Sequence, residues 1–213
     1  MQLYSFFNSS AAWRVRIALA LKGLAFESCG VNLRQGEQRS AAYLALNVSG
    51  SVPLLADDTG HAIGQSLAII DYLDRCFAQV PLVPVEPLAR ARVWEVAHLI
   101  CCDIHPLNNL RVMQFFDREW NVPQAERDEW TLHWMRTGFA ALETMLAGSF
   151  DTGRYCHGAE PGLADCCLVP QLYNARRFHL DLTPYPTLQR IEEACLALPA
   201  FDAARPENQI DAV

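Results

Sequence analysis

The sequence lacks long apolar runs, clusters of basic residues and closely spaced cysteine pairs, and each absence excludes a class of protein. No segment offers the roughly 18 consecutive apolar residues that indicate a membrane-spanning helix. The N-terminal stretch MQLYSFF has neither the basic region nor the long apolar region of a signal peptide. We therefore expect a cytoplasmic protein without a membrane partner.

Basic residues are few and scattered. The chain has 17 Lys and Arg against 24 Asp and Glu, which gives a net charge of −7, and no Lys/Arg cluster is longer than a pair. A nucleic-acid surface needs a concentrated positive patch. We expect no nucleic-acid partner, and small molecules or proteins instead.

The cysteines do not have the spacing of a disulfide framework or a metal site. There are eight of them without a CxxC pair, in a chain of 213 residues, which is long enough to fold without disulfide bonds, so we expect reduced thiols that are mostly buried. One segment, HLICCDIH, places His98, Cys101 or Cys102, and His105 on one helix face, in the manner of metal ligands. Three ligands on a single helix do not close a tetrahedral site, so we expect no metal.

The N-terminal part has the pattern of an α/β unit. Residues 2–7 and 26–31 suit two short strands, and the helix formers of 13–22 lie between them and end at Gly23. Such a βαβ order indicates a parallel strand pair. The segment SVPLLADDTGHAI then predicts two strands joined by a turn at 57–60, followed by a helix over 66–75 with Ser66 as its N-cap.

A proline-rich segment separates this unit from a helical remainder. The stretch AQVPLVPVEPLA cannot continue a helix, and the apolar residues beyond it recur at helical spacing, with Pro106 expected to bend one helix. Further helices are predicted over 163–177 and 187–198. We therefore expect an α/β domain over 1–79, a linker over 80–86 and an all-α domain over 87–213.

Three short motifs carry groups suited to binding an anion or a thiolate. Ser9 and Ser10 stand before the first predicted helix, and Gln65 and Ser66 stand at the start of another. Serine is common there as a cap, but a helix N-terminus also attracts anions, and a hydroxyl there can donate to a thiolate. Pro53 precedes a strand and is either an edge-strand proline or a cis proline. The residues alone leave these alternatives open.

The order of these motifs resembles that of the glutathione transferase superfamily. Five segments are similar to its zeta class, which includes the maleylacetoacetate and maleylpyruvate isomerases: SSAAWRVRIALALKG, QSLAIIDYL, DIHPLNNLRV, LADCCLVPQ and RRFHLDLTPYPTL. The resemblance runs over essentially the whole chain. It implies a thioredoxin-like N-terminal domain that binds glutathione, an all-helical C-terminal domain that binds substrate, and a homodimer.

The resemblance assigns the thiol end of glutathione to two motifs. Ser9 and Ser10 would be the catalytic residues: Ser9 would hydrogen-bond the glutathione thiolate, and Ser10 would lie beside it. Pro53 would be cis, which would let Val52 offer its backbone N–H and C=O to the cysteinyl part of the tripeptide.

Further binding residues follow from the same resemblance. Gln65 and Ser66 would hold the γ-glutamyl end of glutathione at a helix N-terminus. In the helical domain, His105 and Asn109 resemble residues that line the glutathione or substrate side. From the residues alone, His105 would equally suit the carbonyl groups freed by a bend at Pro106.

A dicarboxylate substrate would be held mainly by arginine. Arg177 resembles an arginine that binds the substrate carboxylate, and Arg176 is its close rival. The sequence also departs from the zeta pattern at three positions. Asn8 occupies a substrate-side position where relatives often carry arginine, Ala11 replaces the usual cysteine, and Gly162 replaces a Ser or Thr helix cap.

Three functions fit these residues. The favoured one is a glutathione-dependent cis–trans isomerase of maleylacetoacetate or maleylpyruvate in the breakdown of tyrosine or other aromatic compounds, in which the thiolate adds to the alkene and leaves again, so that glutathione acts as a catalyst. A second is a transferase or dehalogenase that consumes glutathione on electrophiles such as α-halo acids. A third is a non-catalytic module that keeps the fold for binding, because fold does not guarantee function.

Overall fold

The computed structural model describes residues 1–212 and divides them into two compact units. The first unit contains residues 1–82 together with 196–212, and the second contains residues 83–195. The sequence prediction had assigned the whole C-terminal part, 87–213, to the helical domain. Instead, residues 196–212 group with the first unit, where the backbone of Ala204 accepts a hydrogen bond from the buried Arg16. Val213 lies outside the described residues.

The first unit contains a mixed four-stranded sheet. Its strands are β1 (Gln2–Ser5), β2 (Glu27–Gly30), β3 (Leu54–Ala56) and β4 (Ala62–Gly64), in the order β2-β1-β3-β4. β1 pairs with β2 in parallel, and β3 pairs with both β1 and β4 in antiparallel fashion. The predicted parallel pair and hairpin are therefore confirmed.

Helices lie in both units. In chain order they are α1 (Ser10–Leu21), α2 (Ala41–Leu46), α3 (Ser66–Cys76), α4 (Pro87–His98), α5 (Leu110–Arg118), α6 (Gln124–Ala147), α7 (Leu163–Arg177), α8 (Pro186–Leu196) and α9 (Pro199–Ala203). Short 3-10 helices span Glu37–Arg39, His105–Asn108 and Pro206–Asn208. The α/β plus all-α fold class is confirmed.

The start of α1 and the cap of α3 differ from the prediction. α1 begins at Ser10, three residues earlier than expected, because the side chain of Ser9 caps it by accepting from the N–H of Ala12 at 3.2 Å. Ser66 was predicted as the N-cap of α3, but it is the first helical residue, and Gln65 occupies the cap position without a side-chain hydrogen bond. The prediction of Ser66 as a cap is therefore wrong.

The bend expected at Pro106 is real and spreads over two turns. α4 passes into a π-helical segment, Leu99–Ile104, and then into the 3-10 turn His105–Asn108. Proline has no N–H to donate to the preceding turn, so the regular ladder cannot continue through it. On the neighbouring α6, a Cβ atom at Gly138 would lie 2.3 Å from the Ile104 side chain. Only glycine permits this close approach, which fixes the bent segment against α6.

The cysteines are less buried than expected. The thiols of Cys156, Cys166, Cys167 and Cys195 are buried, whereas the other four are intermediate or exposed. No cysteine within residues 1–212 forms a disulfide bond.

Residues 1–212 contain no helix that is both long and apolar enough to span a membrane. Within the same range, no three His, Cys, Asp or Glu side chains are grouped to hold a metal ion.

Asp165 fastens the start of α7. Its carboxylate is 1% exposed and accepts from the N–H of Cys156 and from the N–H of Gly162, both at 2.8 Å. Burial raises the pKa of Asp165, while these N–H donors act to lower it. The carboxylate thus accepts from two backbone N–H groups at this helix start, where Gly162 has no side chain to cap the helix.

We expect Asp165→Ala to lower the free energy of unfolding by about 2–4 kcal/mol, because it leaves two N–H groups without an acceptor. Urea titration measures this loss. The matched variant Gly162→Ser restores a cap hydroxyl and should gain about 0.3 kcal/mol. An unchanged urea midpoint for Asp165→Ala would show that the carboxylate does not hold the helix.

Candidate active site

The strand register brings the N-terminal motifs to one end of the sheet. Tyr4 of β1 lies opposite Leu54 of β3, and Leu54 lies opposite Gly64 of β4. The chain leaves β1 towards Ser9, enters β3 from Pro53 and leaves β4 towards Gln65. Because β1 and β4 both run antiparallel to β3, these three points lie at the same end of the sheet. The register therefore brings together the three motifs that the sequence analysis selected.

Ser9 links the loop after β1 to α1. Its Oγ accepts from the N–H of Ala12 and keeps its own proton available to donate. Ser9, Ser10 and Asn8 are all partly exposed. A helix N-terminus carries partial positive charge, so an anion near Ser9 is favoured by the helix as well as by the hydroxyl.

A buried arginine holds this loop from behind. Arg16 is 2% exposed and donates to Ser5 Oγ (2.9 Å), the Phe7 carbonyl (2.9 Å) and the Ala204 carbonyl (3.2 Å). Asp211 accepts from the N–H of Phe7 at 2.9 Å. Burial lowers the pKa of Arg16 to about 10, and the nearby charge of Asp211 acts in the opposite direction. The loop that carries Ser9 is thus tied to α1 and to the C-terminal segment of the first unit.

The Val52–Pro53 peptide bond is cis, as the resemblance implied. The preceding carbonyl, that of Ser51, accepts from Tyr43 Oη and from Asn47 Nδ2, both at 2.8 Å. Neither the N–H nor the C=O of Val52 has a hydrogen-bond partner within residues 1–212. A backbone with both groups open at a sheet end can pair with an extended peptide.

The N-terminus of α3 also has open donors. Gln65 has φ +67° and ψ 117°, a left-handed conformation that costs a residue with a Cβ about 1–3 kcal/mol and is typical of functional sites. Its side chain does not cap the helix. Ser66 is 5% exposed, and its Oγ accepts from Arg14 Nη1 at 3.3 Å. The first N–H groups of α3 and the Ser66 hydroxyl therefore form a positively polarised donor set.

In the second unit, the bend before α5 brings two of the predicted residues into contact. Asn109 caps α5 by accepting from the N–H of Arg111 at 3.1 Å, and its Nδ2 lies 3.3 Å from His105 Nε2. Nδ2 of Asn174 in α7 donates to Oδ1 of Asn108, in the same bend, at 3.4 Å. The segment with His105 is therefore adjacent to the last turn of α7.

The two candidate arginines at the end of α7 differ in their partners. Arg176 makes a bidentate ion pair with Glu192 of α8, whose side chain is only 4% exposed. Arg177 is exposed and makes no ion pair with another described residue. Since the fork of Arg176 is already filled by a buried carboxylate, Arg177 is the one of the two with donors available for a ligand.

Several side chains around this site were not singled out from the sequence: Arg14, Arg16, Tyr43 and Asp211. The two arginines carry a signal in retrospect, because charged residues within the apolar run AAWRVRIALAL are rarely buried without a task. Tyr43 and Asp211 carry none, because their partners are distant in sequence.

Known proteins are similar to this chain in sequence and in fold. Residues 8–76 match the family model of the glutathione S-transferase N-terminal domain. The maleylacetoacetate isomerase of Pseudomonas aeruginosa is 46% identical over 99% of this chain and 98% of its own length. A solved holo structure of a bacterial maleylpyruvate isomerase, a zeta-class glutathione S-transferase, covers 100% of both chains with a TM-score of 0.97 at 40% identity. The chain belongs to the zeta class of the glutathione S-transferases.

A second zeta-class neighbour was solved with ligands. The maleylacetoacetate isomerase of Methylobacterium extorquens AM1, with bound malonate and glutathione, has a TM-score of 0.97 at 41% identity and covers 100% of both chains. The glutathione transferase fold of this chain, with a thioredoxin-like N-terminal part, is thereby established.

We expect Arg16→Met to lower the free energy of unfolding of this zeta-class chain by about 3 kcal/mol, because buried acceptors lose a charged donor. Arg39→Met removes an exposed arginine and should change it by less than about 0.5 kcal/mol. Urea unfolding of both variants measures these two changes in the free energy of unfolding. Equal small effects would show that the Arg16 contacts do not stabilise the loop.

Proposed function

We propose that this chain is a glutathione-dependent cis–trans isomerase of maleylacetoacetate or maleylpyruvate. One observation carries the proposal. The Ser9 hydroxyl, the backbone groups of Val52 that have no partner within residues 1–212, and the start of α3, which has no side-chain cap, all lie at the same end of the sheet. These are the donors and acceptors that a short anionic peptide with a thiol needs. Relatives at 40–46% identity over essentially the full chain carry these isomerase names.

The first-unit residues fit glutathione group by group. The N–H and C=O of Val52 suit the cysteinyl residue, since they can form the pair of hydrogen bonds that an extended strand makes. The N-terminus of α3, with Gln65 and Ser66, suits the γ-glutamyl carboxylate. Ser9 suits the sulfur, with Ser10 beside it on the first turn of α1. Each assignment uses a group that this chain leaves available.

Bound glutathione supplies a thiolate, which adds reversibly to the alkene so that the former double bond can rotate. The protein must raise the ionised fraction of a thiol whose ordinary pKa is about 8.5. The Ser9 hydroxyl donates to the sulfur, and the N-terminus of α1 adds partial positive charge at the same place. A cysteine of the protein is therefore unnecessary, and Ala11 is compatible with the activity.

The second unit is proposed to hold the dicarboxylate substrate. Arg177 is exposed and has no ion pair among the described residues, so its guanidinium can bind a carboxylate through two parallel hydrogen bonds. Arg176, the rival candidate, is committed to Glu192. His105 and Asn109 are proposed to line the ligand-binding side. Asn8, in the loop of Ser9, is proposed to offer a neutral hydrogen-bonding group where relatives often carry arginine.

The assembly and setting of the enzyme are part of the proposal. We propose a homodimer, for which the exposed apolar side chain of Val48, at 91% exposure in the first unit, offers contact area; a monomeric mass in sedimentation equilibrium would contradict it. A reducing, cytoplasmic compartment keeps the required thiol reduced. We propose that the reaction belongs to the breakdown of tyrosine or other aromatic compounds.

We expect Ser9→Ala to slow isomerisation at least tenfold, which corresponds to about 1.4 kcal/mol of lost transition-state stabilisation. The assay follows cis-to-trans conversion of maleylpyruvate and of maleylacetoacetate with substoichiometric glutathione. Turnover beyond the amount of glutathione added distinguishes an isomerase from a transferase or dehalogenase, which would consume it. No turnover of either compound would contradict the proposed function and leave the halo-acid and binding-only alternatives.

Ser40 provides a matched control for the capping role of Ser9. Its Oγ caps α2 by accepting from the N–H of Tyr43 at 3.2 Å, the same distance as in the Ser9 cap. Ser40→Ala and Ser9→Ala should therefore each cost about 1 kcal/mol of stability. Only Ser9→Ala should slow the reaction, and an equal loss of rate in both would assign the effect to helix capping.

We expect Arg177→Met to raise KM for the dicarboxylate about tenfold or more, because a charged pair of hydrogen bonds to the substrate is lost. Its thermal stability should remain close to native. Arg176→Met should leave KM close to native and lower the melting temperature, because the buried carboxylate of Glu192 loses its partner. Steady-state kinetics and thermal unfolding of the two variants separate the roles, and a raised KM in Arg176→Met alone would reverse the assignment.

A further inference from the structure

Helix α1 carries two buried arginines with unequal sets of partners. Arg14 and Arg16 are each 2% exposed. The donors of Arg16 reach Ser5, Phe7 and Ala204. Arg14 makes one hydrogen bond, from Nη1 to Ser66 Oγ at 3.3 Å.

Two other nitrogens of Arg14 have no acceptor among the described residues. Its Nε and Nη2 atoms are buried and make no hydrogen bond within residues 1–212. A buried charge without an acceptor is costly, and buried polar groups in native proteins are nearly always paired. The arrangement therefore indicates that the charge of Arg14 is used when an anion is bound.

The contact with Ser66 places this charge at the start of α3. α3 has eleven residues, Gln65 supplies no side-chain cap, and Ser66 is its first residue. Because Ser66 Oγ accepts from Arg14, its hydroxyl proton is left to donate outwards. The helix end, the hydroxyl and the guanidinium thus all favour one anion at the same place.

We propose that Arg14 is a positioning residue of the glutathione site, which acts through Ser66 to hold the γ-glutamyl α-carboxylate at the N-terminus of α3. This role rests on the proposed function, because it takes glutathione to be the ligand. Arg14 orients and polarises the Ser66 hydroxyl and supplies the full positive charge that the helix end alone lacks.

The test compares glutathione with γ-aminobutyryl-cysteinyl-glycine, an analogue that lacks only the α-carboxylate. Isothermal titration calorimetry gives Kd for both ligands with the native chain, Arg14→Met and Arg14→Lys. We expect the native chain to prefer glutathione by about tenfold or more, since a charged hydrogen-bond set is lost with the carboxylate. Arg14→Met should reduce this preference to less than about threefold, and Arg14→Lys should retain part of it.

Stability without ligand provides a second readout. Because Nε and Nη2 of Arg14 have no acceptor within residues 1–212, Arg14→Met should unfold at a temperature no lower than the native chain, while the rise in melting temperature on adding glutathione should shrink. Arg16→Met is the matched control from the same helix. It should lower the ligand-free melting temperature and leave the ratio of the two Kd values unchanged.

The outcomes separate this role from the proposed function. An unchanged Kd ratio in Arg14→Met would overturn the role of Arg14 alone, as would equal weakening of both ligands with a lower melting temperature. Absence of glutathione binding to the native chain would overturn the proposed function and the role of Arg14 together. Native binding with a lowered ratio in Arg14→Met, but no isomerase turnover, would support the Arg14 role and contradict the isomerase.

Discussion

The pairing of β3 with both β1 and β4 is the constraint on which the site depends. With Tyr4 opposite Leu54 and Leu54 opposite Gly64, three loops that are far apart in sequence must begin or end at the same end of the sheet. A slip of one residue would turn alternate side chains to the opposite face. Leu3 and Leu55 lie directly opposite each other and are fully buried. Their burial stabilises this register.

The site is positively polarised in a protein that is acidic as a whole. The net charge is −7, yet two helix N-termini and two buried arginines lie in or behind the loops at this end of the sheet. Local fields of this kind are set by desolvated charges and oriented backbone groups rather than by the total charge. The two arginines have different tasks: Arg16 fixes the loop of Ser9, and Arg14 is left with donors to spare.

Much of the fold followed from the sequence because its signals are local. The βαβ opening, the hairpin turn, the bend at Pro106 and the limits of α7 depend on turn residues, on proline and on apolar spacing within a few residues. The misplaced cap of α3 also has a local cause. Ser66 directly precedes apolar residues, but the backbone of Gln65, with φ +67°, places the cap one residue earlier, so that Ser66 is the first helical residue.

By itself, the sequence determined the order of elements, the choice of Ser9, Pro53, Gln65 and Ser66 as candidates, and the family resemblance that assigned them to glutathione. Only the tertiary structure decided which donors are available. Within residues 1–212, Glu192 pairs with Arg176 whereas Arg177 is exposed, the C-terminal segment returns to the first unit near Arg16, and Arg14 has a single hydrogen-bond partner. The physical reason is that a side chain's free hydrogen-bonding capacity depends on neighbours brought in by long-range packing, which no local pattern encodes.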